Sequence, residues 1–440
     1  MEPLSLNSIR KVLPDQAIDQ ACRQAKYVFR QRKITPLITV LHMILAAIWP
    51  EESFQAAWQV LWDQFVSHCP WAGTQSPTSG SVAKARARLP LIFWRNLFTW
   101  IRGQVEAATA QLDQWRGHRV VLLDGTCPSM ADNPKLKKFF GSSHGYHGRS
   151  RYPVARLVTL SLAFSRTVLA YAMGPYKKDE NALAAPLLKT LRKGDLLLAD
   201  RHFAAAHFYA RYLRQGLEFV TRVHQCFKVS RLKPYWYNSR HDFVADMPIA
   251  KNYRQADPTL PDHVRLRFIR ATVRGRGGRQ TIWLVTSLID ELAYPAREIV
   301  AVYGLRWRIE TLFEELKIHL GADVLRSVTP AGIYKEVAAR MVALNVVRLI
   351  MLEAAAAHQV DPLRISFVHA LRAILSFAPT LAEAPPWKLP VIYQAMLAEI
   401  ARQVVPLRPG RQEPRAVRRD PKNYPSLRCT RQEWRLQNVA

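Results

Sequence analysis

Through the first 110 residues, apolar positions recur every three or four residues, over Ile18 to Arg30, Leu37 to Ile48, Ser53 to Val66 and Ile92 to Ala107. A Pro-, Gly- and Ser-rich link, GTQSPTSGS, precedes the last of these runs. That period belongs to helices with one buried face and predicts a helical N-terminal region. From about residue 118 the pattern changes. HRVVLLDGT is a short apolar run ending in Asp124, and VARLVTLSLAF and TVLAYAMG read as two more strands. A helix is predicted over Asn181 to Arg192, a fourth strand, LLLAD, ends at Asp200, and a helix over Ala204 to Gln215 leads into the strand LEFVTRV. TIWLVTSL, Thr281 to Leu288, reads as a strand returning to the core, with Trp283 facing inward. Beyond Gly321 helical periodicity continues to about residue 377, and after the segment Pro379 to Pro390 one further helix is expected.

Between the last strand and Gly321, with Pro295 as the expected start, lies a stretch of unusual content, YGLRWRIETLFEELK from Tyr303 to Lys317. At about 100° per residue, Tyr303, Arg306, Glu310 and Lys317 fall within an arc of roughly 60°. Leu305, Ile309, Leu312, Phe313, Leu316 and Leu320 cover the neighbouring face. A stripe of phenol, guanidinium, carboxylate and ammonium beside an apolar stripe suits joint binding of a metal and a phosphate backbone. Trp307, on the far side, is expected to pack.

Charge changes the picture most. The chain has 63 Lys and Arg against 34 Asp and Glu, a formal charge of +29, which predicts a polyanionic partner. No apolar run approaches the roughly 20 residues needed to span a bilayer, and no signal peptide is expected, so nucleic acid is favoured over a membrane. Five scattered cysteines without a C-x2-C pair predict neither a disulfide framework nor a zinc site, and a reducing cytoplasm. His144 and His147, near a Gly-rich turn, are not assigned a metal. Basic runs RQRKI (Arg30 to Ile34) and KARAR (Lys84 to Arg88) give the N-terminal region phosphate-contacting potential. From Arg222 to Arg279 there are 13 Lys or Arg against 4 Asp, with Tyr235, Trp236 and Tyr237 interleaved and RGRGGR at the end. That composition suits a surface laid over DNA and able to stack an unpaired base. The tail from Arg408 to Arg435 is again basic and Pro-containing, and is expected to order on DNA.

The spacing Tyr-x2-Arg-x3-Glu-x6-Lys, complete at 303, 306, 310 and 317, resembles the signature of insertion-element transposases of the insertion sequence 4 type. Asp124 opening DGT and Asp200 opening DRHF are similar to that family's first and second acidic motifs, His202 standing where the family has Gly. The resemblance implies an α/β fold with a ribonuclease H-like catalytic core. The core spans residues 111–325 with a strand-rich basic insertion at about 224–280, after a helical DNA-binding domain over 1–110 and before C-terminal helices and a basic tail over 326–440. It implies Asp124, Asp200 and Glu310 as catalytic and metal-binding acids, and Tyr303, Arg306 and Lys317 as DNA-binding groups. Three carboxylates suit two Mg²⁺ ions about 4 Å apart better than soft ligands do, with Mn²⁺ able to substitute.

The function implied is a transposase that binds the inverted repeats of its element, hydrolyses DNA to free a 3′-hydroxyl and joins it to target DNA, with excision through a hairpin. Holding two element ends implies a homodimer on double-stranded DNA, in a bacterial cytoplasm and on the nucleoid when bound. Two rivals stay open: a metal-dependent nuclease of the same fold, and an inactive or repurposed sequence-specific DNA-binding protein.

Overall fold

A computed structural model describes residues 7–30, 33–68, 75–145, 148–275 and 278–406, and Leu436. Gln31 and Arg32 of the first basic run, His147, the tip of RGRGGR at Arg276 and Gly277, and the basic tail lie outside the described residues.

Residues to Val405 pack as one unit. Its N-terminal part holds α1 (Asp15–Gln24), α2 (Pro36–Ile48), α3 (Phe54–His68), α4 (Ser79–Arg88) and α5 (Leu91–Ala108). The first of these is shorter than its periodicity predicted, because the chain turns at Lys26, whose φ is +50°. Helix α2 starts where Thr35 accepts a hydrogen bond from the Ile38 N–H, with Pro36 in the first turn, where no N–H is needed. Helix α4 was not expected. Thr78 caps it through the Ser81 N–H, so the Ser-rich stretch is a helix start, and the KARAR run lies on a helix.

A continuous sheet follows, formed by β1 (His118–Thr126), β2 (Ala155–Leu162), β3 (Val168–Pro175), β4 (Leu196–Ala199), β5 (Glu218–Arg222), β6 (Pro234–Ser239), β7 (Asp242–Pro248), β8 (His263–Gly275) and β9 (Gly278–Thr286). Its order is β6-β7-β8-β9-β5-β4-β1-β2-β3, with Gln114–Trp115 pairing β1 off this path. Strands β1 to β3 run antiparallel, and β4 and β5 join β1 in parallel. The order 3-2-1-4-5 with helix α6 (Ala206–Arg214) between β4 and β5 is that of a ribonuclease H-like core. The insertion is strand-rich, as expected, but it extends the core sheet instead of standing apart: β9 pairs antiparallel with β5 through Leu284 to Thr286. Between β3 and β4 the predicted long helix is a short turn, Glu180–Ala184, followed by a 3-10 turn at Leu187–Thr190. Pro186 between them has no N–H to continue an α-helix.

The stretch after Pro295 is helical to Leu320 but not uniform. It runs as α7 (Ala296–Gly304), a 3-10 turn at Leu305–Trp307, α8 (Arg308–Glu314) and a π turn at Glu315–His319. Gly321 ends it at φ +63°, with an ideal Cβ there 2.5 Å from the Pro50 side chain. Helix α9 (Pro330–His358) is buried on every side through its middle, from Glu336 to Met351. It packs on α2 and α5 and also touches β3, joining the N-terminal helices to the sheet. Helices α10 (Phe367–Glu383) and α11 (Leu389–Arg402) close the unit. Pro379 lies inside α10, where an interruption was expected. No described helix is long and apolar enough to cross a membrane.

Candidate active site

Strand register builds the first half of the site. Leu123 of β1 pairs with Ala199 of β4 in parallel, so Asp124 and Asp200, one residue further on, lie side by side where the pairing of the two strands ends, toward their carboxyl ends. That edge is where open α/β sheets place ligands. Asp124 Oδ1 accepts the Gly125 N–H at 2.7 Å, and Asp200 Oδ1 accepts the His202 N–H at 2.7 Å. His202, the departure from the family's glycine, thus sits in a 3-10 turn closed by the acid itself. Burial pushes the Asp124 carboxyl up to about 6; the Gly125 N–H opposes this, and repulsion from Asp200 and then Glu180 adds to it.

Glu180 is a site residue that sequence reasoning missed. Its carboxylate packs so closely on β1 that a Cβ on Gly125 would meet it at 2.9 Å. It is held by Arg156 at 2.6 Å and lies 3.9 Å from His202 Nε2, with Asp179 at 3.7 Å from the same nitrogen. The only signal in the sequence is the acidic pair ending KKDE, just before the helix expected from Asn181.

Helix α8 packs on β1 and supplies the other half. Arg306, expected to clamp phosphate, turns inward: its guanidinium is 3.6 Å from Asp124 and 4.7 Å from the centre of the Trp307 ring. Tyr303 is buried, and its phenol is pushed up by that burial with Arg306 as a hydrogen-bond partner. Trp307, expected to pack, is 53% exposed. Lys317 is partly exposed, 3.9 Å from Asp323. Glu310 is exposed and makes no hydrogen bond or ion pair among the described residues. The structure therefore brings Asp124, Asp200, Arg306 and Tyr303 together but does not gather Glu310 into their cluster. Among the described residues no three acidic, imidazole or thiol groups form a closed metal-ligand set.

Beside the site, β5 and the insertion enclose a cleft of about 550 Å³ lined by Arg222, His224, Lys228, Tyr237, Arg240 and Trp283. Trp283 is thus half-buried, edge-on to Phe243 at 5.7 Å, instead of fully in the core. Tyr235 and Tyr237 on the outer strand β6 are 63% and 64% exposed.

The chain is similar to the transposase InsG for insertion sequence element IS4 of Escherichia coli strain K12, at 24% identity over 355 residues, 79% of this chain and 78% of that one. The piggyBac transposase synaptic complex with hairpin DNA aligns with a TM-score of 0.45 and 11% identity, over 94% of this chain and 87% of that one. Residues 115–346, more than half of the chain and including all six predicted site residues, match the family described as Transposase DDE domain, and the chain belongs to that family.

Proposed function

We propose that this chain is a metal-dependent DNA transposase that binds the ends of its own element, cuts them, and joins the freed 3′-hydroxyl to target DNA. The observation that carries the reading is the side-by-side placement of Asp124 and Asp200 where the pairing of two parallel strands ends, with the Glu310 helix packed on the strand of Asp124. The donors are all hard carboxylate oxygens, and Asp124 lies beside two other carboxylates, with Arg306 3.6 Å from Asp124 and Arg156 2.6 Å from Glu180. Such a site suits Mg²⁺ or Mn²⁺. Asp124 and Asp200 would hold the ion pair, and Glu310 would complete the set from α8. A bound divalent pair supplies charge neutralisation to the attacking and leaving oxygens of an in-line displacement.

The protein's own groups do the rest. Lys317, partly exposed on the same helix, reaches for a phosphate. With a cation held by Asp124, Arg306 would be free to pair with the DNA backbone. Arg222, Lys228 and Arg240 line the neighbouring cleft, in which Tyr237 and Trp283 offer ring faces to an unpaired base, as excision through a hairpin requires. Two element ends call for two copies of the chain.

One rival is a DNA-binding protein that no longer cuts, and among the described residues Glu310 does not join the two aspartates in a metal-ligand set. Cleavage of a fragment bearing the element's ends in Mg²⁺, wild type against Glu310→Ala, decides between them. Cutting by wild type that is lost in the variant while DNA binding persists supports the transposase; binding without cutting in both supports the rival. Supplying pre-cut ends and looking for joined products separates a transposase from a nuclease of the same fold.

A further inference from the structure

Five residues beyond Glu310 and two before Lys317, Glu315 is 4% exposed. Its carboxylate lies between two arginines from distant parts of the chain: Arg166, in the turn between β2 and β3, at 3.1 Å, and Arg348 of α9, in direct contact. Arg166 sits at φ +54°, a conformation that costs a non-glycine residue energy, and also donates to the Leu363 carbonyl at 3.2 Å. Glu315 opens the π turn, where the Leu320 N–H bonds back to the Glu315 carbonyl at 2.9 Å, five residues away. Turns of this kind inside α-helices concentrate at functional sites.

The same β2–β3 turn is tied to the helix from the other side. Arg308 of α8 donates to the Ala163 carbonyl at 3.1 Å, and the Ala163 N–H bonds the Val120 carbonyl of β1, the strand that carries Asp124. Arg308 and Arg166 thus reach across one gap in opposite directions, helix to turn and turn to helix. Together they fix how α8 is rotated against β1.

We infer that Glu315 is a positioning residue: by locking the π turn to Arg166 and Arg348, it sets the direction in which Glu310 and Lys317 leave a helical stretch packed on β1, the strand of Asp124. This rests on the transposase reading above. Glu315 touches neither DNA nor metal and acts through the helix alone.

The test uses the full chain with DNA bearing the element's ends, and two variants: Glu315→Gln, and the triple Glu315→Met/Arg166→Met/Arg348→Met. The triple removes the whole buried charge cluster, a replacement that often leaves folding intact. Melting temperature, end binding, cleavage rate and the Mn²⁺ concentration for half-maximal rate are measured for each. Glu315→Gln is expected to bind ends as wild type does, to cut about a hundredfold more slowly, as a displacement of around 1 Å can cause, and to need more Mn²⁺. The triple is expected to melt like wild type yet stay slow. Recovery of rate together with stability in the triple would show a merely structural ion cluster and overturn the inference. So would a wild-type rate and Mn²⁺ dependence in Glu315→Gln beside an inactive Glu310→Ala. Absence of cutting by wild type fails the transposase reading itself, and this inference with it.

Discussion

Arg306 points its guanidinium at Asp124, 3.6 Å away, in a site whose other near neighbours of Asp124 are acidic. A residue expected to hold phosphate instead partly neutralises the first acid. The contact is longer than a hydrogen bond and leaves much of the repulsion from Asp200 and Glu180 in place. Burial first, and this repulsion after it, leave the folded protein with an acid whose ionisation opposes folding.

That cost is measurable. The Asp124 carboxyl is raised to about 6 from its ordinary 3.8, so the penalty is absent below about pH 4 and complete once pH has risen past the folded value. In metal-free buffer Asp124→Asn should gain up to about 3 kcal/mol at pH 7.5 and close to nothing at pH 4. Urea unfolding at the two pH values checks this; an equal gain at both would mean that ionisation of Asp124 does not oppose folding.

Gly125→Ala introduces a Cβ 2.9 Å from the Glu180 carboxylate, whose other oxygen is fixed by Arg156. A loss of about 1–3 kcal/mol is expected from such crowding. Adding Glu180→Ala should return most of it, since the obstructing group is then gone. A double-mutant cycle by thermal unfolding reads the coupling, and additive losses would rule out the contact.

His42 is fully buried, its ring bonded to the Phe54 carbonyl at 2.8 Å, and burial with Arg86 and Arg326 nearby lowers its pKa from 6.5 to about 4. The neutral ring is favoured in the fold, so stability is complete above about pH 6.5 and falls as pH drops from there to about 4. The loss reaches about 3 kcal/mol. The stability difference between wild type and His42→Gln should shrink over that window. A difference independent of pH would show that His42 does not titrate with unfolding.

Arg340 is buried with Glu336 at 2.9 Å and also donates to the Leu320 carbonyl at the end of the helical stretch that carries Glu310. Arg340→Met leaves Glu336 charged and short of its partner, and should cost about 3–5 kcal/mol. The pair Glu336→Gln/Arg340→Met should lose much less, because no buried charge remains. Chemical denaturation compares the two, and equal losses would contradict the pairing.

Much of the core was legible because its signals are local. An apolar run ending in an acid, twice, and a helix with four kinds of polar group on one face need only period and composition, and the strand sequence leads to the observed 3-2-1-4-5 order. The Ser79–Arg88 helix was missed because Thr78 caps it within a stretch whose Pro, Gly and Ser read as linker. The uniform helix from Pro295 was an overextension: a period of about 100° per residue cannot reveal a 3-10 turn at Leu305 or a π turn at Glu315, which depend on buried partners elsewhere.

The sequence by itself determined which acids exist, on which kind of element each sits, and the cationic character of the chain. These follow from side-chain type and short-range spacing. Only the tertiary structure decided which groups meet. Asp124 and Asp200 are neighbours through a register between strands some 75 residues apart, about the distance that separates Leu123 from Ala199. Glu180 enters the site from the short helical turn after β3, Arg306 turns toward Asp124 instead of solvent, and Glu315 finds Arg166 and Arg348 across the core. Each of these contacts is a balance of buried charge against desolvation, set by packing between segments that share no local pattern.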